Sequence, residues 1–302
     1  MGTSNIYGGP NRSPLLPRDF NDGDGNSDDP NPQDKPERQP EENKPEENKP
    51  ADNNSTENPN KNEQAPQEAS SSNNPQYTSW RPAKKSMSIY ASGKGGGNGK
   101  KNAVSNYVKS HGGSQNAAKS AKSAIRTTIS IGDFFGGVKQ KGITQVLKDF
   151  QIPIEGKKPK EILNDIVNIL APTPDLNDDS VARKALVNTM SIIYEKFDDE
   201  KKDILLLDSL DPDITKVLIT QYIETFIYER LIYEVGCSIE KYSENSKAAA
   251  KIEKELKEYI ETKVSMTLKD KPLSIINSET KNVNVLVEGL YQQCYKVLED
   301  QL

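Results

Sequence analysis

Residues 211–235 read DPDITKVLITQYIETFIYERLIYEV. Ile214, Val217, Leu218, Tyr222, Phe226, Leu231, Ile232 and Val235 recur along one stripe, and Ile219, Ile223 and Ile227 widen it. A half-buried strand would alternate with a period of two, so this spacing predicts a helix starting near Asp211-Pro212. A helix that is apolar on most of its sides belongs in the middle of a bundle.

The same period continues outward in both directions. Towards the C-terminus, one helix is predicted from Ile252, Leu256, Tyr259, Ile260, Val264 and Leu268. A last one carries Val283, Leu286, Val287, Leu290, Cys294, Val297 and Leu298, and only VNVLV at 283–287 briefly alternates. On the N-terminal side, Ala182, Ala185, Leu186, Met190 and Ile193 share a face, with Ser180 or a preceding Asp as its cap. Pro159 suits a first helical turn, where its missing amide donor is not needed. Ile162, Leu163, Ile166, Val167 and Leu170 follow, and Pro172 and Pro174 end the helix.

Ile143, Val146, Leu147 and Phe150 make another helix, after a break expected at Gly136-Gly137. Before that break, Ser114 can cap a helix through Ala117, Ala118, Ala121, Ala124 and Ile125. Ala103, Val104, Tyr107 and Val108 form a shorter stripe that stops at His111-Gly112-Gly113. The expected fold class is all-α, a helical bundle domain over residues 102–302 preceded by a long acidic N-terminal tail.

That tail cannot build a core. From Asn21 to Ser79 the only apolar side chains are Ala51, Ala65, Ala69 and Tyr77. Ordering a backbone costs about 1–2 kcal/mol per residue, and nothing here offsets it, so residues 21–85 read as a disordered acidic, proline-rich linker. The tandem EENKPEENKP at 41–50 places a proline every five residues, which blocks a helix. Residues 86–101, including SGKGGGNGKK at 92–101, read as a basic glycine-rich hinge. Lys stands at 94 and 101, where a phosphate-cradling GxxxxGK[ST] loop needs Gly and Ser or Thr.

Charge is segregated along the chain. Residues 21–80 hold fourteen acidic and five basic residues, and residues 81–150 hold thirteen Lys or Arg against Asp133 and Asp149. Neutralising phosphates with such cations gives sequence-independent nucleic-acid affinity. Lys100, Lys101, Lys109, Lys119, Lys122 and Arg126 are the candidate contacts, with Trp80, Tyr90 and Tyr107 available for base stacking.

Enzymatic chemistry finds little footing. His111 is the one histidine and stands at an apparent helix end, where a capping or loop role suffices. The acids of Asp198-Asp199-Glu200 and at Asp211 and Asp213 suit solvated helix ends. No metal-ligand spacing is present, and neither a metal nor a cofactor is expected. Cys237 and Cys294 are expected to be buried free thiols. The longest aliphatic run, Ile204–Leu207, is far shorter than the roughly twenty residues a membrane crossing needs. The start lacks a signal-peptide pattern, and Ile6 stands where myristoylation wants Ser or Thr. A non-enzymatic, cytoplasmic protein with no membrane association is expected.

The most specific words stand at the N-terminus. Gly2-Thr3-Ser4, Tyr7-Gly8-Gly9-Pro10 and Pro14-Leu15-Leu16-Pro17 lie within residues 1–20, a recognition leader. Together with Tyr107-Val108, Gly112-Gly113, Ala117-Ala118, Val181-Ala182-Arg183 and Ala185, they resemble the QatB family of the Qat anti-phage defence system. The resemblance implies three partners: a QueC-like enzyme, an ATPase and a TatD-like nuclease. It further implies that the QueC-like enzyme modifies the terminal amine of Gly2. Thr3, Ser4, Tyr7, Gly8, Gly9, Pro10, Leu15, Leu16 and Pro17 would serve recognition, and the helical domain would dock partners. The alternative is an adaptor that uses segment 81–150 to bring a nuclease to nucleic acid.

Overall fold

The stretch that sets the sequence pattern is one unbroken helix, Ile214–Val235, with Leu218, Ile219, Tyr222, Ile223, Phe226 and Leu231 fully buried. A computed structural model describes residues 79–171, 173–174, 177–195, 203–209 and 213–300. In chain order their helices are α1 (Arg81–Ala91), α2 (Gly99–Ser110), α3 (Ser114–Ser120), α4 (Lys122–Lys141), α5 (Ile143–Asp149) and α6 (Pro159–Leu170). Then come α7 (Asn177–Tyr194), α8 (Ile214–Val235), α9 (Cys237–Tyr242), α10 (Ser246–Leu268) and α11 (Val283–Glu299). Short 3₁₀ turns fill Gly96–Asn98, Ile204–Ser209 and Leu273–Ile275, and no strand occurs among the described residues. The fold is all-α.

α8 touches α1, α4, α7, α9 and α10, which accounts for its broad apolar surface. Val217 alone leaves the expected stripe, exposed on the first turns. Each neighbour turns a narrower apolar face inward. α7 buries Ala182, Ala185, Leu186, Met190 and Ile193, and α10 buries Leu256, Ile260, Val264 and Leu268. α11 buries Val283, Val287, Leu290, Cys294 and Leu298 and adds Tyr291 and Tyr295. The valines at 283, 285 and 287 follow helical geometry, with Val285 in solvent. Truncating a fully buried side chain such as Phe226 to alanine typically costs about 3–5 kcal/mol.

Four local expectations are corrected. The helical unit begins at Arg81 rather than at residue 102, because α1 takes in part of segments 21–85 and 86–101. Ala83, Met87 and Ala91 are buried against α2 and α9, a thin stripe of mostly small residues, and α9 lies far along the chain. Gly136-Gly137 does not break the helix: α4 continues to Lys141, and Gly142, at φ 79°, makes the turn into α5. The helix expected from Ser114 through Ile125 is two, parted at Ala121, where the Ser123 amide donates to Asp178 Oδ2 at 3.0 Å. Gly113, not Ser114, occupies the N-cap of α3.

Pro159 opens α6 as expected. Pro172, the dipeptide Asp211-Pro212 and the cluster Asp198-Asp199-Glu200 lie outside the described residues. Gly132 allows a backbone crossing, since a Cβ there would stand 1.8 Å from the carbonyl oxygen of Ile276.

Candidate functional site

The corner between α2 and α3 brings the words Tyr107-Val108, Gly112-Gly113 and Ala117-Ala118 against the middle of the bundle. His111 follows the last turn of α2, and the Gly113 amide donates back to the Val108 carbonyl at 3.3 Å. Gly112 and Gly113 take φ of 84° and 89°, a left-handed conformation that favours glycine. The chain thereby reverses into α3, whose first amide, from Ser114, donates to Glu299 Oε2 of α11 at 3.0 Å. Ala117 and Ala118 are fully buried, and their small side chains let α3 lie close on α11.

Under this corner lies a buried ionic network. Arg230 of α8 donates to the Ala117 carbonyl at 3.1 Å and to Ser120 Oγ at 2.9 Å, and pairs with Glu234 at 3.4 Å. Glu234 accepts from the Tyr107 hydroxyl at 2.7 Å and contacts His111 Nε2 at 2.9 Å. Burial pushes the Glu234 carboxyl up, but His111, Arg230 and Tyr107 outweigh it and hold it below the usual range. Burial, followed by the charge of Glu234, raises the Tyr107 hydroxyl far above its ordinary value. The network ties α2, α3 and α8 together, and its chemistry is that of a lock. His111 is thus more than a cap, since its ring is spent on Glu234.

The block at 181–186 serves the other side of α8. Tyr222 donates to the Ala182 carbonyl at 3.4 Å, and Arg183 donates to Asn168 of α6. Next to it, buried Asp179 accepts from Ser123 and pairs with Arg126 at 3.2 Å.

The candidate nucleic-acid contacts fall on three consecutive helices, Lys100, Lys101 and Lys109 on α2, Lys119 on α3, and Lys122 and Arg126 on α4. Lys109, Lys119 and Lys122 are exposed, whereas Lys100 and Lys101 are half-buried. Lys100 lies over the Tyr259 ring at 5.7 Å, and Arg126 is held by Asp179. The proposed stacking platform is corrected. Trp80 and Tyr107 are buried edge-on around His111, with ring centroids 4.9 Å and 5.0 Å from it, and Tyr90 donates to Glu255 at 2.6 Å. The rings of Trp80 and Tyr107 belong to the core, and Tyr90 is partly buried against it.

Cys294 is buried, and burial, then the charge of Glu224, pushes its thiol up to about 12; Cys237 is exposed rather than buried. Among the described residues, no group of three or more His, Cys, Asp or Glu side chains is placed to hold a metal ion. No described helix is long and apolar enough to cross a membrane.

Sequence reading missed Arg230 and Glu234. The available signal was Glu224, Glu229, Arg230 and Glu234 standing inside a helix apolar on most sides, which forces charges inward. The leader residues Gly2, Thr3, Ser4, Tyr7, Gly8, Gly9, Pro10, Leu15, Leu16 and Pro17 lie outside the described residues.

No curated protein and no solved structure matches this chain. The family model described as Qat anti-phage system associated protein QatB matches residues 112–298, more than half of the chain, from the glycine pair of the α2–α3 corner almost to the end of α11. Membership of that system implies other Qat components as partners. The chain belongs to the QatB family and is a component of an anti-phage defence system.

Proposed function

We propose that this chain is a non-enzymatic acceptor, modified at the α-amine of Gly2 by a QueC-like partner, and that its helical unit docks further components. What supports the reading is family membership together with the leader words GTS at 2–4 and YGGP at 7–10. Removal of Met1 would expose an amine carried by a residue with no side chain to obstruct an active site. A terminal amine has an ordinary pKa near 7.7–8.0 against 10.4 for lysine, so about one in seven is neutral at pH 7. Thr3 and Ser4 supply hydroxyls, and Gly8 and Gly9 supply bare backbone, with which an enzyme cleft can fix register.

In the proposed step ATP adenylates a carboxylated deazaguanine and releases pyrophosphate. The Gly2 nitrogen attacks the acyl carbon, the amide C–N bond forms as the acyl–phosphate bond breaks, and AMP leaves. The displaced amine proton passes to solvent. Mass spectrometry of the N-terminal peptide, with and without the QueC-like partner, tests this. A mass increase on Gly2 that needs the partner and vanishes in Gly2→Pro is expected. An unmodified Gly2 in cells carrying the whole active system overturns it.

A second reading, an adaptor recruiting a nuclease to nucleic acid, draws on the exposure of Lys109, Lys119 and Lys122. Reversing Lys119 and Lys122 to glutamate separates the two readings while leaving the Arg126–Asp179 pair intact. Lost DNA binding with unchanged Gly2 modification would favour the adaptor.

A further inference from the structure

Eleven large apolar side chains are exposed among the described residues, and five of them, Val217, Met266, Ile275, Val285 and Leu286, come to one end of the bundle. Lys216, in the first turn of α8, donates from Nζ to the Lys269 carbonyl at 2.8 Å, which sets the start of α8 beside the end of α10. The chain then enters the 3₁₀ turn Leu273–Ile275, which packs on α8. Thr280 Oγ1 donates to the Ile275 carbonyl at 2.6 Å, and the Val283 amide donates to the Thr280 carbonyl at 3.1 Å. Ile275 is thereby held next to the first turn of α11, where Val285 and Leu286 stand. Met266 and Val285 are each 72% exposed. Exposed apolar residues scattered singly are ordinary, whereas their concentration in one place marks an interaction surface.

This surface is preformed. The Ser278 amide donates to Asp133 Oδ1 of α4 at 2.6 Å, and Ile276 is buried where its carbonyl crosses Gly132. A surface already fixed gives up little entropy on association. Its charges select the partner. The connection between α10 and α11 exposes Lys269, Asp270, Glu279 and Lys281, two of each sign, with Lys271 half-buried among them. A polyanion or an anionic membrane would be matched by a border of one sign. A border of both signs is matched by a second copy, because a two-fold axis lays its lysines against the same border's acids. We propose that this end of the bundle is a self-association surface, on which a second copy of the chain docks about a two-fold axis with Met266, Val285 and Leu286 at the centre. The contact is independent of Gly2 modification. Pairing also duplicates every other docking surface on the chain, which raises avidity for a further component.

The test is the molar mass of the full chain, read by light scattering from micromolar to near-millimolar concentration. A dimer is expected, and it should persist in high salt because its centre is apolar. The double variant Met266→Asp, Val285→Asp places acids only at exposed helical positions, so the fold is retained, which circular dichroism and thermal unfolding check. It should raise the dimer dissociation constant about a hundredfold, about tenfold for each lost anchor. Met266→Leu should leave that constant within a few-fold of wild type. A chain that is monomeric at every concentration overturns the proposal. So does a dimer that survives the double variant, since its interface then lies elsewhere. A monomeric wild-type chain that binds a co-purified Qat component or phosphatidylserine vesicles, with the binding lost in the double variant, assigns the surface to that partner and overturns it too. Gly2 modification, read by mass spectrometry on the same variants, should be unchanged, which separates failure of the pairing from failure of the acceptor reading.

Discussion

α8 and α10 are neighbouring helices of similar length that treat their charges in opposite ways. α10 displays its charges as Lys251–Glu255, Lys254–Glu258 and Lys257–Glu261, each four residues apart and 3.8 Å across. α8 instead buries Glu224, Glu229 and Arg230. A surface pair exchanges water for a screened partner and gains little, whereas a buried charge must be matched atom by atom. The difference teaches that α10 could lose its pairs one at a time, while the partners of α8 hold the α2–α3 corner in place.

The largest effect is expected at Arg230. Arg230→Met strips the donor from the Ala117 carbonyl and Ser120 and leaves Glu234 with His111 and Tyr107 alone. Breaking one side of such a buried pair costs about 3–5 kcal/mol, read as a lower urea midpoint. The double variant Arg230→Met, Glu234→Gln should recover part of that loss. A cost no larger than a surface substitution would erase the contrast between the helices.

Glu224 sharpens the contrast through pH. Burial, then the charge of Glu261, raises its carboxyl from 4.5 to about 7, against a lowering hydrogen bond with Ser265. The folded state therefore holds a proton that the unfolded chain has released. The stability this confers is full below about pH 4.5 and is lost as pH rises through about 7. The span corresponds to roughly 3 kcal/mol. Glu224→Gln should flatten the stability curve between pH 5 and 8, and an unchanged slope would assign the proton elsewhere.

Tyr107→Phe is expected to cost about 1.5–2 kcal/mol, because Glu234 loses one charge-assisted donor while His111 and Arg230 remain. Thermal unfolding measures it. A neutral substitution would mean that the 2.7 Å contact adds nothing beyond ring packing.

The helices with wide apolar stripes were legible because period alone encodes them: α7, α8, α10 and α11 stand where their spacing puts them. α1 was not, since Ala83, Met87 and Ala91 make a stripe only once α2 and α9 supply the opposite wall. The glycines at 136 and 137 misled for a related reason, because helix propensity is a weak prior that tertiary packing overrides. Of the site, the glycine turn at 112–113 was visible, as left-handed backbone writes itself into residue choice. The Arg230–Glu234–Tyr107–His111 network was not, because its members lie 123 positions apart between His111 and Glu234, a separation no local spacing encodes.

The smallest effect sets the other end of the comparison. Lys254→Ala removes one partner of a pair whose side chains are 78% and 61% exposed. An i,i+4 pair of this kind contributes about 0.3–0.5 kcal/mol, and alanine's higher helix propensity returns part of it. The net change should lie near the limit of a urea titration and shrink further at high salt, where the wild-type pair is already screened. A loss above about 1 kcal/mol, insensitive to salt, would mean that Lys254 acts through its packed stem rather than its charge. α10 would then depend on its lysines for packing, and the division between the two helices would be one of geometry instead of electrostatics.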